Sequence, residues 1–386
     1  MLVPTNNQER ITDHSVPPVP KIDLHTHILP QHWPDWTQRS GYAGWIELAH
    51  DAPGCTAGCA RLQRSEADGS RTSFRDVREN LWNPVVRLAE MQTTGVNLQA
   101  LSTVPVMFSY WAKAADAYDL ARLLNDHIAS VSASHPEHFV GLGTIPMQDT
   151  SRAIRELERC VKELGFPGVQ IGTNINGVNL DDPAVIEILT AAESIGACVF
   201  VHPWDMLQFG SHARAGESAR TMNRLARYWM PWLVGMPAET CVAICSVIFG
   251  GVLDRLPRLR VCFSHGGGSF PGTLGRIAHG RACRPDLFPA ESRDPRDYLA
   301  GPDRPAKFFV DSLVHDIDAL RFLVHQFGSN RIALGSDYPF PLGEDRPGAL
   351  IEQMKAELAN ECVTDLLSGS ATQFLNLPPR PTGLHS

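Results

Sequence analysis

Apolar residues along this chain fall into short continuous runs separated by longer amphipathic stretches. A short run that is apolar throughout is the pattern of a strand buried on both faces, as in a parallel sheet. Eight such runs predict strands at Lys21–Ile28, Val96–Val104, Phe139–Met147, Gly168–Asn174, Cys198–Pro203, Leu259–His265, Lys307–Leu313 and Arg331–Asp337. Between them the spacing predicts helices. Thr150–Leu164 places Ile154, Leu157, Val161 and Leu164 on one face. Asp182–Ile195 carries Pro183 in its first turn, a helix-start signal. Ala238–Phe249, Asp316–Phe327 and Pro347–Ala359 read the same way. Repeated strand–helix units give a parallel sheet, and eight of them predict an α/β fold of the closed (β/α)8 TIM-like type.

Two stretches break the alternation. Residues 32–81 hold no clean strand–helix unit. Within them Ala52–Ser73 is small, polar and glycine-containing, which predicts a mobile loop, and Gly41–Ile46 suggests a small β insertion over the barrel mouth. Leu207–Met236, rich in Arg and Trp, is the second. Both follow strands ending in histidine, so both are candidate lids or specificity loops. The organisation predicted is a flexible N-terminal extension at 1–20, one barrel domain at 21–377 that includes the insertion 32–81, and a Pro-rich tail at 378–386.

The chemistry gathers at strand ends. His25-Thr26-His27 closes the first predicted strand. Residues i and i+2 of a strand share a face, so both imidazoles aim at one point. His202, His265 and Asp337 end three other predicted strands. Taken singly, His202 before Pro203 reads as a satisfied core histidine, and Asp337 in Gly-Ser-Asp-Tyr-Pro as a turn starter. A barrel, however, collects its strand C-termini around one site. His25, His27, His202 and Asp337 are therefore candidate ligands of a divalent ion. Three imidazoles and a carboxylate suit one Zn²⁺ per chain and leave a place for water, which the ion would acidify to hydroxide. His265 is a candidate general base on that water. It opens His265-Gly266-Gly267-Gly268, but no phosphate-loop spacing accompanies those glycines. The strand Gly168–Asn174 offers Gln170 and no bridging lysine, which argues against a second metal. Arg75 and Arg276 are candidate carboxylate forks, though each also reads as a solvated surface charge.

Composition narrows the classes. The chain has 386 residues, 43% of them apolar, and a net charge of −8. With no basic block, nucleic acid and anionic membrane surfaces are not expected partners. Apolar runs are interrupted short of a membrane-spanning helix, and residues 1–20 lack the apolar core of a secretory signal. Nine cysteines, an odd number, are scattered along the chain. Cys160, Cys198, Cys241, Cys245 and Cys262 lie inside apolar patterns and read as buried thiols, which suits a reducing cytoplasm. Cys55-x3-Cys59 has no second Cys/His pair at zinc-site spacing and is not read as a metal site.

The stretches Ile22–His27, Leu98–Trp111, Gly165–Gly172, His202–Met206, Trp232–Thr240, His265–Gly268 and Asp337–Glu344 together resemble the 2-amino-3-carboxymuconate-6-semialdehyde decarboxylase family of the amidohydrolase superfamily. The resemblance runs from about Lys21 to about Leu377. It implies a zinc-dependent, non-oxidative decarboxylase in tryptophan/kynurenine-type or nitroaromatic catabolism, at a step that diverts material from quinolinate. It implies His25, His27, His202 and Asp337 as ligands and His265 as the catalytic histidine. Arg75 and Arg276 would hold substrate carboxylates, Arg276 reaching across a homodimer. The chain departs from the family in extra residues before the first strand, a longer 52–73 stretch ahead of Arg75, and inserted sequence around Gly210–Arg220. The competing readings are a sibling aromatic-acid decarboxylase, a lactonase-like metal hydrolase of the same superfamily, and a scaffold with a vestigial metal site.

Overall fold

In a computed structural model of the chain, residues 19–50, 52–204, 225 and 227–378 are described. The predicted N-terminal extension up to residue 18, most of the insertion at 207–236, Asp205 and Met206, and the tail from 379 lie outside them.

Eleven strands occur among the described residues: β1 (Lys21–His27), β2 (Ile46–Ala49), β3 (Cys59–Ser65), β4 (Arg71–Arg78), β5 (Val96–Ser102), β6 (Phe139–Thr144), β7 (Gly168–Gly172), β8 (Cys198–His202), β9 (Arg260–Phe263), β10 (Phe309–Asp311) and β11 (Ile332–Ala333). Eight of them, in the order β1-β5-β6-β7-β8-β9-β10-β11, form one parallel sheet. Each lies inside one of the eight predicted runs. Three backbone hydrogen bonds join its ends: Leu24 N to Leu334 O at 2.8 Å, Asp337 N to His25 O at 2.9 Å, and His27 N to Tyr338 O at 2.8 Å. The sheet thus comes round into a (β/α)8 barrel.

Burial explains the continuous runs. On β8, Cys198 and Phe200 pack in one apolar cluster while Val199 and Val201 pack in another, so both faces of the strand are covered. The surrounding helices start where the sequence supplies caps. Asp149, Asp182 and Asp316 accept hydrogen bonds from Arg152 N, Ala184 N and Ala319 N at the heads of helices Thr150–Lys162, Pro183–Ser194 and Ile317–Phe327. The helix predicted at 347–359 is shorter, Ala349–Gln353, and continues as a 3-10 turn, Met354–Ala356.

Two expectations need correction. The stretch 52–73 is not a loop throughout. Strands β2, β3 and β4 form an antiparallel sheet in which Cys59 pairs with Arg78 and Leu62 with Arg75. Ala60 and Leu62 are fully buried beside Trp45, Val77, Trp82 and the Val104–Met107 turn that follows β5. That second apolar cluster seats the insertion on the barrel mouth. Likewise, among the described residues one helical run is long enough to cross a membrane by length and composition, Pro231–Phe249, with a mean hydropathy of 1.7. Its length serves packing: Ala243, Ile244, Val247 and Ile248 are buried in the main core.

Candidate metal centre and pocket

His25 and His27 leave β1 on one face, together with Asp23. His202 ends β8, two residues beyond Phe200, whose ring packs 5.0 Å from that of His25. Asp337 follows β11 in a left-handed backbone conformation, φ 57°. Approach here is tight: a Cβ added at Gly335 would stand 2.8 Å from the Asp311 Cβ and 3.0 Å from the His25 Cβ, so glycine alone fits.

One ligand atom from each of His25, His27, His202 and Asp337 lies within 4.8 Å of the other three. The outer side of every ring is fixed. His25 Nδ1 meets Asp311 Oδ2 at 2.8 Å, His27 Nδ1 meets Thr103 O at 3.0 Å, and His202 Nδ1 meets Pro203 O at 3.0 Å. A carbonyl or carboxylate can only accept, so each Nδ1 carries the proton and each Nε2 presents a lone pair inward. All three Nε2 atoms are buried without a hydrogen-bond partner. His27 Nε2 and His25 Nε2 face Asp337 Oδ1 at 3.0 and 3.4 Å, acceptor against acceptor. Three lone pairs and a carboxylate converging with no donor among them is a fit for a divalent cation, and the outer hydrogen bonds are of the kind that orient metal-binding imidazoles.

Electrostatics agree. Burial pushes the His202 imidazole well below the ordinary histidine range, reinforced by the neighbouring imidazoles, and burial lowers His27 as well. Burial also opposes charge on His25, but the hydrogen bond to Asp311 and the charge of Asp337 outweigh it and raise that group. For Asp337, burial is outweighed by the close approach of the His27 ring and the neighbouring imidazoles, which hold it ionised far below the carboxylate range.

His265 stands beside the cluster and outside it, with ring centroids 5.2 Å from His25 and 5.1 Å from His202. Burial, then the charge of His25, pushes it down to about 4, so it is neutral at pH 7. The glycines after it serve packing. Gly266 N donates to Asp311 Oδ1 at 2.8 Å, and a Cβ at Gly268 would meet Pro237 O at 2.4 Å. Gln170 is buried and points its amide at Thr103 O, 3.4 Å away.

Above the cluster opens a cavity of about 340 Å³. His27, His202 and Asp337 line its floor, Trp111, Trp204, Trp229, Trp232 and Phe340 its walls, and Phe74 and Arg75 reach it from β4. The Arg75 guanidinium lies 4.8 Å from the Phe340 ring and 5.6 Å from the Trp232 ring. Burial lowers its pKa, and no carboxylate among the described residues is within ion-pair distance. Arg64 lines the same cavity but is paired with Glu66 at 3.1 Å. Arg276 is elsewhere. It is exposed on helix Phe270–Cys283 and does not line the cavity of its own chain.

Sequence reading missed the supports. Asp311 ends β10, but it lies two residues inside the predicted run Lys307–Leu313, so it did not stand out as a strand-end acid in the way Asp337 did. Arg87 is fully buried and donates to His27 O at 2.7 Å, to Gln99 Oε1 at 2.9 Å and to Thr26 Oγ1 at 3.2 Å. Asp23, also buried, accepts from Ser336 N at 3.1 Å and His25 N at 3.2 Å.

Comparison with known proteins gives one consistent grouping. Residues 22–377 match the amidohydrolase family. The 2-amino-3-carboxymuconate-6-semialdehyde decarboxylase of Dictyostelium discoideum is 52% identical over 93% of this chain and 92% of its own length. The Caenorhabditis elegans protein of the same name is 37% identical over 92% of this chain and 94% of its own. In fold, the chain is similar to the 5-carboxyvanillate decarboxylase of Novosphingobium aromaticivorans, solved with manganese and a nitrobenzoic acid. The TM-score is 0.72 at 19% identity, covering 93% of this chain and 96% of the other.

Proposed function

The chain belongs to the amidohydrolase family and is a decarboxylase within it, and from that premise we propose that it converts 2-amino-3-carboxymuconate 6-semialdehyde to 2-aminomuconate 6-semialdehyde without an oxidant. The likeness to the D. discoideum decarboxylase along nearly the whole of both chains carries the choice of substrate. The pocket supports it, because it pairs a cation-binding floor with a half-buried arginine that has no carboxylate within ion-pair distance among the described residues.

In this reading His25, His27, His202 and Asp337 hold one zinc ion per chain. When bound, the ion supplies a Lewis acid and an acidified water. A three-imidazole, one-carboxylate set suits zinc and also accepts manganese, and elemental analysis of purified protein decides between them. Arg75 grips a substrate carboxylate through its fork and holds it against the aromatic walls. Those walls exclude water and flank the flat conjugated chain of the substrate. In this reading His265, neutral at pH 7, takes a proton from a group on the floor and returns it to C3 as the bond to the departing CO2 breaks. In the net step one C–C bond breaks, CO2 leaves, and a proton takes its place.

A dimer belongs to the same reading. Arg276, exposed and outside its own pocket, is the second carboxylate fork and enters the partner's pocket. A cytoplasmic location also belongs to it, supported by nine cysteines of which none is cross-linked. The test is direct: freshly generated substrate is added and absorbance loss and CO2 are followed together. One CO2 per substrate consumed supports the reading. Absorbance loss without CO2 points to a reaction other than decarboxylation, and turnover of a hydroxybenzoate alone points to an aromatic-acid decarboxylase.

A further inference from the structure

Away from the pocket, the turn between β2 and β3 brings two sulfurs into contact, with Cys59 Sγ 2.7 Å from Cys55 Sγ. A disulfide bond is about 2.05 Å long, so well under an ångström of movement separates these thiols from bonding. The turn allows it because it reverses the chain: Gly54 and Gly58 on either side of Cys55 have φ of +87° and +77°. A second pair with the same spacing makes the contrast. Cys241 and Cys245 lie on one continuous helix, Met236–Phe249. There the Cβ atoms of residues i and i+4 are held about 5–6 Å apart, beyond the roughly 3.5–4.5 Å a disulfide needs. Cys55 and Cys59 are also reachable. Both line a cavity of about 490 Å³ together with His50, Glu79 and Trp82.

We propose that Cys55 and Cys59 form a redox-active dithiol, oxidised to an intramolecular disulfide by low-molecular-weight disulfides of the glutathione class. One thiol, deprotonated, attacks a sulfur of the small disulfide. This gives a mixed disulfide and releases one thiolate, which takes up the proton. The neighbouring thiol then attacks the protein sulfur of the mixed disulfide and expels the second small thiol. Two protein thiols are oxidised and one small disulfide is reduced to two thiols. The hydrogen bond with Cys59 pushes the Cys55 thiol up to about 11, so that thiol rests protonated, and thiolate attack quickens as pH rises. Cys59 begins β3, whose Leu62 lies opposite Arg75 on β4. The bond therefore tethers the hairpin that carries the pocket's arginine.

The test uses the full chain and glutathione disulfide at mildly alkaline pH, followed by acid quench, alkylation, digestion and mass mapping. The peptide holding both residues is expected to lose two hydrogens, about 2 Da, to escape alkylation, and to regain both thiols with dithiothreitol. In Cys55→Ser the mixed disulfide on Cys59 should persist, because nothing resolves it. Exposed Cys283 reports that the oxidant is active. Two alkylatable thiols at 55 and 59, once Cys283 is modified or the oxidant is in large excess, overturn the proposal. So does a stable glutathionyl group there in the unsubstituted chain, or a disulfide at 241–245 in its place.

Discussion

The floor of the pocket and its arginine end are built on different principles. Every group on the floor comes from the barrel of one chain: two histidines on β1, one on β8, an aspartate after β11, and outer partners Asp311, Thr103 O and Pro203 O that lock each ring. The other end, in the reading proposed here, is assembled from outside the barrel sheet. Arg75 arrives on the inserted sheet, held by ring contacts and no carboxylate, and Arg276 lies on the outer surface of a helix. The floor is over-determined, so its geometry survives small insults. The far end depends on where an insertion sits and, in the reading proposed here, on a second subunit.

The sharpest way to break the comparison is at the floor. His202→Ala should empty the site, with metal below a tenth of the unsubstituted content and activity down by more than the roughly 10–100-fold that an outer partner controls. Elemental analysis and turnover measured on one preparation check it, and full metal occupancy counts against His202 as a ligand. His265→Ala should separate the two readouts. Metal stays, while kcat falls by about 10²–10⁴. Metal loss in step with activity would move His265 into the ligand set.

Smaller effects sharpen the picture. Asp311→Asn keeps the shape but removes the charge that faces His25 Nδ1. Metal affinity should weaken by roughly 10–100-fold, read by competition with a chelator, with the fold intact by circular dichroism. The last effect is one of pH. Burial disfavours a second proton on His25, but the hydrogen bond to Asp311 and the charge of Asp337 outweigh it, so a proton competes with the ion for Nε2 as pH falls. Metal uptake should therefore strengthen as pH rises through the histidine range, by up to about tenfold per unit, and weaken as pH falls. A flat profile between pH 6 and 8 would show that no proton competes with the ion at His25 in that range.

How much of this was legible in the sequence follows the same divide. The barrel strands are buried on both faces, so their runs stand out, and histidines at their ends stand out with them. The insertion hid because its strands alternate small residues. Ala60 and Leu62 face the core while Arg61 and Gln63 face out, a period of two carried by residues that also suit a loop. Asp311 was readable only as an acid inside a predicted run, two residues short of its end at Leu313. Arg87 was not, because nothing in a helix sequence says that an arginine will be buried against the backbone of β1.

The claim that the far end of the pocket needs a second chain is tested by mixing subunits. Arg276→Ala and His265→Ala proteins, each inactive alone, are exchanged and the mixed dimer is confirmed by mass. One of its two sites then keeps His265 and receives an intact Arg276. With random exchange, roughly a quarter of the unsubstituted activity should return. Confirmed mixed dimers with no recovered activity would contradict the account and leave Arg276 acting within its own chain or not at all.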